Sequence, residues 1–259
     1  MSRFVNLELG GESEDEGQQT PQGVAKDEAY YLAQAHAAFE NGDFEQGLRF
    51  YSKVLEFNPK NAVAWTGQVR MLIELGEFRE AKLWADKALE RFPNEPELLA
   101  AKAVALGRVG DLQGAIAFSD ASIEERGDTP YVWIARGDVL LARKEPRADY
   151  CFEKAQMLAP QDWFVAWLAG RVRFYYEQFV LALKLLQRAV ELNPGHFRLW
   201  LELGHCQQKL SLVAAAESSF EQAQQLNRNS AEAKSALMTL SQSGLFARLR
   251  GRLSGIFRS

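Results

Sequence analysis

The sequence predicts an all-α chain of stacked antiparallel helix pairs, and three observations predict it. Helix-stopping prolines recur in Phe57-Asn58-Pro59, Arg91-Phe92-Pro93, Leu158-Ala159-Pro160 and Leu192-Asn193-Pro194. Each closes an apolar-periodic run, because proline has no N–H and drives the residue before it out of the helical region. Aligned on these stops, units begin at Glu28, Ala62, Pro96, Pro130, Trp163, Phe197 and Ala231, at spacings of 34, 34, 34, 33, 34 and 34 residues. A fixed period in this range means an array of repeats that bury their apolar faces on one another. Small residues keep the register: Ala35, Ala103, Gly137, Gly170 and Gly204 in the first halves, Ala81, Ala115, Ala148, Ala182 and Ala216 in the second. They let a second helix approach closely.

The unit 163–196 shows the pattern most fully. Phe164, Trp167, Arg171 and Phe174 fall at i, i+3, i+7 and i+10, one face of a helix. A polar break at Glu177-Gln178 follows, then a second helix carrying Phe179, Ala182, Leu186 and Ala189 up to Asn193-Pro194. Repeats 1 and 2 break at Asn41-Gly42-Asp43-Phe44 and Leu75-Gly76-Glu77-Phe78, with Phe44 and Phe78 filling the gap between paired helices, and repeat 3 breaks at Val109-Gly110-Asp111-Leu112. Trp65, Trp133 and Trp200 take matching places near the start of first helices and read as core. Departures are local. Repeat 3 lacks its proline and ends at Arg126-Gly127-Asp128, which predicts a softer junction. Repeat 4 is one residue shorter, with Lys144-Glu145-Pro146 for the glycine break, and repeat 6 has Arg228 in place of proline. One more helix, 231–241, follows with Ala233, Ala236, Leu237 and Leu240.

These residues and breaks resemble the tetratricopeptide repeat family over 28–230, as six repeats with a solvating helix at 231–241. The resemblance implies a right-handed superhelical solenoid whose first helices line a concave groove, and a non-enzymatic protein-interaction adaptor. Some members grip the C-terminal carboxylate of heat-shock chaperones with a Lys and an Asn one turn apart in the first helix. Here Leu32 and His36 stand at those places, and Arg70 replaces an asparagine, so that clamp is absent.

The array spans 28–243 and is flanked by two charged segments. Residues 1–27 carry net −4, and 10–27 are too polar to offset the entropy of ordering. They read as a disordered acidic leader behind a short alternating stretch, Val5, Leu7 and Leu9, which is either a frayed end or a motif for a partner. Residues 244–259 carry four arginines and no acid. Leu245, Phe246, Leu249, Leu253, Ile256 and Phe257 form an apolar stripe at helical spacing, with Arg248, Arg250 and Arg252 beside it, so the tail reads as a basic amphipathic helix. The whole chain is at −4. No signal segment is read and no apolar run reaches bilayer length, so the expected location is cytoplasmic, with membrane association through the tail as the alternative.

No catalytic, metal or phosphate-binding motif is present, so the reading is no enzyme, no metal and no cofactor. Cys151 and Cys206, more than a repeat apart, read as buried packing. The remaining candidate is a binding groove of repeats 4 to 6. Its stripe holds Tyr131, then Phe164, Trp167, Arg171, Phe174 and Tyr175, then Arg198, His205 and Lys209. Aromatic anchors beside arginine suit an interface. Trp167 lies one residue past the place of the other tryptophans, so it either reaches the groove, the preferred reading, or packs against a neighbouring repeat. The expected partner is an apolar peptide or helix with acidic character. The alternatives are an anionic membrane surface held by the tail, a second copy of the chain whose acidic leader meets the basic tail, and an accessory nucleic-acid role. The acidic array places nucleic acid last.

Overall fold

The computed structural model describes residues 26–241. Among them every element is a helix and none is a strand. The helices pair as α1 (Glu28–Glu40) with α2 (Phe44–Phe57), α3 (Ala62–Glu74) with α4 (Phe78–Leu89), and α5 (Pro96–Val109) with α6 (Leu112–Glu124). Then come α7 (Pro130–Ala142) with α8 (Ala148–Leu158), α9 (Trp163–Tyr175) with α10 (Phe179–Leu192), and α11 (Phe197–Lys209) with α12 (Val213–Leu226). A last helix, α13, covers 231–241. The basic tail 244–259 and residues 1–25 of the acidic leader lie outside the described residues. The chain divides into two compact units, Met1–Ala155 and Gln156–Ser259.

Local chemistry sets the helix starts. Asp27, Asn61, Asp111, Thr129 and Asp162 each turn a side-chain oxygen to a free N–H of the first turn. The turn inside each pair has one conformation throughout. Its key residue has positive φ: Gly42 at 73°, Gly76 at 78°, Gly110 at 91°, Lys144 at 59°, Glu177 at 58° and Ser211 at 60°. All six stand fifteenth in their repeat, so the left-handed residue survives where the glycine does not. For an L side chain that conformation is strained by about 1–2 kcal/mol.

The small residues act as read. A Cβ on Gly137 would sit 2.7 Å from Phe152, one on Gly204 2.5 Å from Phe220, and one on Gly170 3.0 Å from Leu186. Two sequence expectations change. Trp65 is buried, but Trp133 and Trp200 are only half-buried. Their indole N–H groups reach back over the preceding junction, Trp65 to the Pro59 carbonyl at 3.0 Å, Trp200 to that of Pro194 at 2.7 Å, and Trp133 to Asp128 at 2.8 Å. The reach toward the junction sets these rings at the edge of the core, and Trp84 at 5.8 Å and Arg91 at 5.4 Å lie against Trp65. The repeat 3 junction is tight rather than soft. Arg126 takes the left-handed conformation, and a Cβ on buried Gly127 would lie 2.2 Å from the Ser122 carbonyl oxygen.

In the first unit Ala100, Val104, Val132 and Ala135 form a core under Ile73, Ile123 and Tyr131. In the second, Leu201, Phe220, Ala223, Ala233, Ala236 and Leu240 form a core that joins α13 to α11 and α12. Cys151 and Cys206 are buried free thiols, and burial pushes the Cys206 thiol up to about 11.

Candidate binding surface

In the first unit, Tyr131 is turned inward rather than offered to a partner. Its ring lies under the Arg70 guanidinium at 3.7 Å, and the same guanidinium lies 4.8 Å from the Phe39 ring. Arg70 also pairs with Glu97 at 3.8 Å. Side chains of four first helices, α1, α3, α5 and α7, thus meet at Arg70, and Tyr131 packs over Ala100 and Val104, whose small side chains leave the space. Arg108 makes a two-pronged contact with Asp138, at 3.0 and 2.5 Å, and both are almost wholly buried. This face of the first unit is occupied by its own side chains.

The second unit holds the other eight candidates. The preferred reading of Trp167 is corrected. It is 0% exposed, the largest fully buried side chain described. Its indole N–H donates to Glu202 on α11 at 2.9 Å, and Trp163 and Phe164 pack around it at 6.3 and 5.3 Å. The extra rotation of about 100° carries it into the seam between α9 and α11 rather than out to solvent. Arg171 sits 5.1 Å from the Trp167 ring and donates to the other oxygen of Glu202 at 2.5 Å. One carboxylate therefore holds both residues.

The next step along the face repeats the device. Arg198 pairs with Glu232 of α13 at 2.8 Å, and His205 approaches the second oxygen of that carboxylate at 3.9 Å. His205 also meets Phe220 edge-on at 5.0 Å. Phe174 packs on Phe179 at 5.2 Å, closing the turn of the pair. Phe164 is half-buried, Lys209 is exposed and Tyr175 is 49% exposed. Tyr175 and Lys209 stand thirteenth in successive first helices. At the opposite ends of these two helices, His196 lies against Trp163 with ring centroids 4.8 Å apart and planes tilted by 32°. Burial, and then the charge of Arg198, hold its pKa below the usual histidine value.

A family model for the tetratricopeptide repeat matches residues 38–105 and 174–240, just over half of the chain. The chain belongs to the tetratricopeptide repeat family. A chain in the crystal structure of the APC/C hetero-tetramer Cut9–Hcn1 superposes with TM-score 0.51 at 14% identity, over 83% of this chain and 43% of that one. The chain thus spans less than half the length of that relative. YrrB, a tetratricopeptide repeat protein with an unusual peptide-binding site, superposes at 0.42 and 18% identity, over 72% of this chain and 96% of that one. No curated protein matches by sequence. In general terms this tetratricopeptide repeat chain is a protein-interaction scaffold, of a family that is generally non-enzymatic. Among the described residues no three or more His, Cys, Asp or Glu side chains group as a metal site, and no helix is long and apolar enough to cross a membrane.

Sequence reasoning missed the acids. Glu202 lies one residue past the stripe position held by Leu201, on the flank that meets the preceding repeat. Glu232 falls in α13, second in its unit as Phe164 and Arg198 are in theirs, but beyond repeats 4 to 6 over which the stripe was read. The available signal was charge complementarity between one first helix and the next, as in Arg70–Glu97, Arg171–Glu202 and Arg198–Glu232, though at no single spacing.

Proposed function

We propose that the chain is a non-enzymatic adaptor whose second unit binds an apolar peptide or helix with acidic side chains. The binding face consists of the exposed edges of Phe164, Tyr175, Arg198, His205 and Lys209, with Phe174 and Arg171 beneath. One observation carries the reading. Arg171 and Arg198 are each neutralised at this face by a carboxylate from the next first helix, so exposed Lys209 is the cation this face offers an acidic partner, beside the exposed ring of Tyr175. Exposed Tyr175 and Lys209 add an aromatic and a cation at equivalent places on neighbouring first helices. Tyrosine and a flanking charge suit such contacts, the ring supplying area and the charge steering approach.

Panning phage-displayed peptides of about twelve residues on the intact protein tests this. Enriched sequences should combine an aromatic or aliphatic residue with Asp or Glu. Tyr175→Ala and Lys209→Glu change exposed positions, so they should leave the melting temperature unchanged and weaken those peptides roughly tenfold or more together. Peptides that bind the double variant as well as the parent would remove the assignment, as would no enrichment over an unrelated helical protein.

A further inference from the structure

The residue eight places into each first helix is buried: Ala35, Val69, Ala103, Gly137, Gly170 and Gly204. Phe152, Leu186 and Phe220 of the partner helices lie on the last three. The eighth residue of α13 is Met238, and it is 62% exposed, with Leu237 half-buried beside it. A lone exposed methionine would mean little, but this one stands where six equivalent residues are covered. Among the described residues, α13 is therefore a first helix without its second.

The following sequence carries what is missing. From the left-handed turn residue, five of the six second helices place buried residues five, nine and twelve positions on, and α8 places Ala148, Phe152 and Ala155 one position earlier. Gly76 leads to Ala81, Ala85 and Ala88, Glu177 to Ala182, Leu186 and Ala189, and Ser211 to Ala216, Phe220 and Ala223. Counting from Gly244, the same steps reach Leu249, Leu253 and Ile256, with Phe257 next. Glycine is the residue that takes positive φ without strain. Gly244 comes one residue earlier in its unit than the other turn residues, so a helix begun from it would meet α13 one position back, at Leu237 as well as Met238. The arginines at 248, 250, 252 and 258 all fall off these core positions. Gly251 and Gly255 weaken an isolated helix, so this segment needs the covered face to form.

We propose that residues 244–257 are the second helix of a seventh pair and dock on the Leu237–Met238 face of α13 in the same chain. The test is a thiol footprint on the full chain. Cys151 and Cys206 are buried, so Met238→Cys supplies the one reactive position in the described residues. Maleimide alkylation, followed by intact mass at low protein concentration, should be roughly tenfold slower or more in Met238→Cys than in Met238→Cys with Leu253→Asp. Ile256→Asp should deprotect in the same way, and Arg250→Asp, off the core, should not. Circular dichroism confirms that each variant keeps its helix. Equal rates with and without Leu253→Asp overturn the proposal. So does protection that vanishes on dilution, which assigns the face to a second copy. An unprotected thiol in Met238→Cys, in a protein that sediments with phosphatidylserine vesicles, overturns it in favour of a membrane.

Discussion

Replacing Glu202 with alanine tests the account of the second unit most directly. The carboxylate accepts the Trp167 indole N–H at 2.9 Å and an Arg171 N–H at 2.5 Å. Without it, a fully buried indole donor has no acceptor, a loss of roughly 1–3 kcal/mol. Arg171 is 24% exposed and recovers part of its loss from water, so the ion pair adds at most about 1 kcal/mol. Glu202→Ala should therefore destabilise by about 2–3 kcal/mol, a fall in melting temperature of roughly 5–10 °C for a chain of this size. Glu202→Gln keeps an acceptor for the indole and loses only the charge, so its effect should stay within about 1 kcal/mol. Trp167→Phe removes the donor instead, and combined with Glu202→Ala it should do less damage than the two single changes added. Urea denaturation followed by circular dichroism measures all four variants, with the slope checked because repeat arrays need not unfold in one step. If Gln costs as much as Ala, the charge rather than the indole is what Glu202 serves. If Ala lies within about 0.5 kcal/mol of the parent, the seam does not depend on this contact at all, and the account fails.

The turn residues give a second prediction: Lys144→Gly, Glu177→Gly and Ser211→Gly should each raise the urea midpoint by the equivalent of roughly 0.5–1 kcal/mol, the relief of positive φ exceeding the entropy glycine adds to the unfolded chain. Gly204→Ala should destabilise by about 1–3 kcal/mol and Gly170→Ala by less, since the first Cβ meets the rigid Phe220 ring at 2.5 Å and the second a flexible leucine at 3.0 Å; the order of melting temperatures decides. Arg108→Ala leaves Asp138 charged and buried, a loss of about 3–5 kcal/mol, whereas Arg108→Met with Asp138→Leu should recover most of it. His36 and His196 are held below the usual histidine value, first by burial and then by Arg70 and Arg198 respectively. A folded pKa below the unfolded one means stability that is full above about pH 6.5 and lost as pH falls beneath it. The urea midpoint should thus drop between about pH 7.5 and 5.5, and drop less in His36→Gln with His196→Gln.

The paired-helix architecture was legible because it is written in local chemistry. Proline stops, capping Asp, Asn and Thr side chains, and the small residues of the close approaches each act within a few residues or recur at one interval. The first helices begin at Glu28, Ala62, Pro96, Pro130, Trp163 and Phe197, the residues at which the period places them. The candidate face was legible only as a set of side-chain types. Periodicity puts Trp167, Arg171 and Phe174 on one side of a helix, but that side is shared between solvent and the next repeat, and a rotation of one residue decides between them. The same limit made Trp133 and Trp200 look fully interior.

By itself, then, the sequence determined the repeat, its period, its turns and the chemistry along one stripe, since those depend on backbone preferences and on neighbours close in the chain. Only the tertiary structure decided which stripe residues remain available. That depends on partners a repeat or more away in the chain: Glu202 claims Trp167 and Arg171, Glu232 claims Arg198, and Arg70 covers Tyr131. A charge or a ring in one helix says nothing of its own use until the facing helix is in place, because the energy lies in the pair and in the water it excludes.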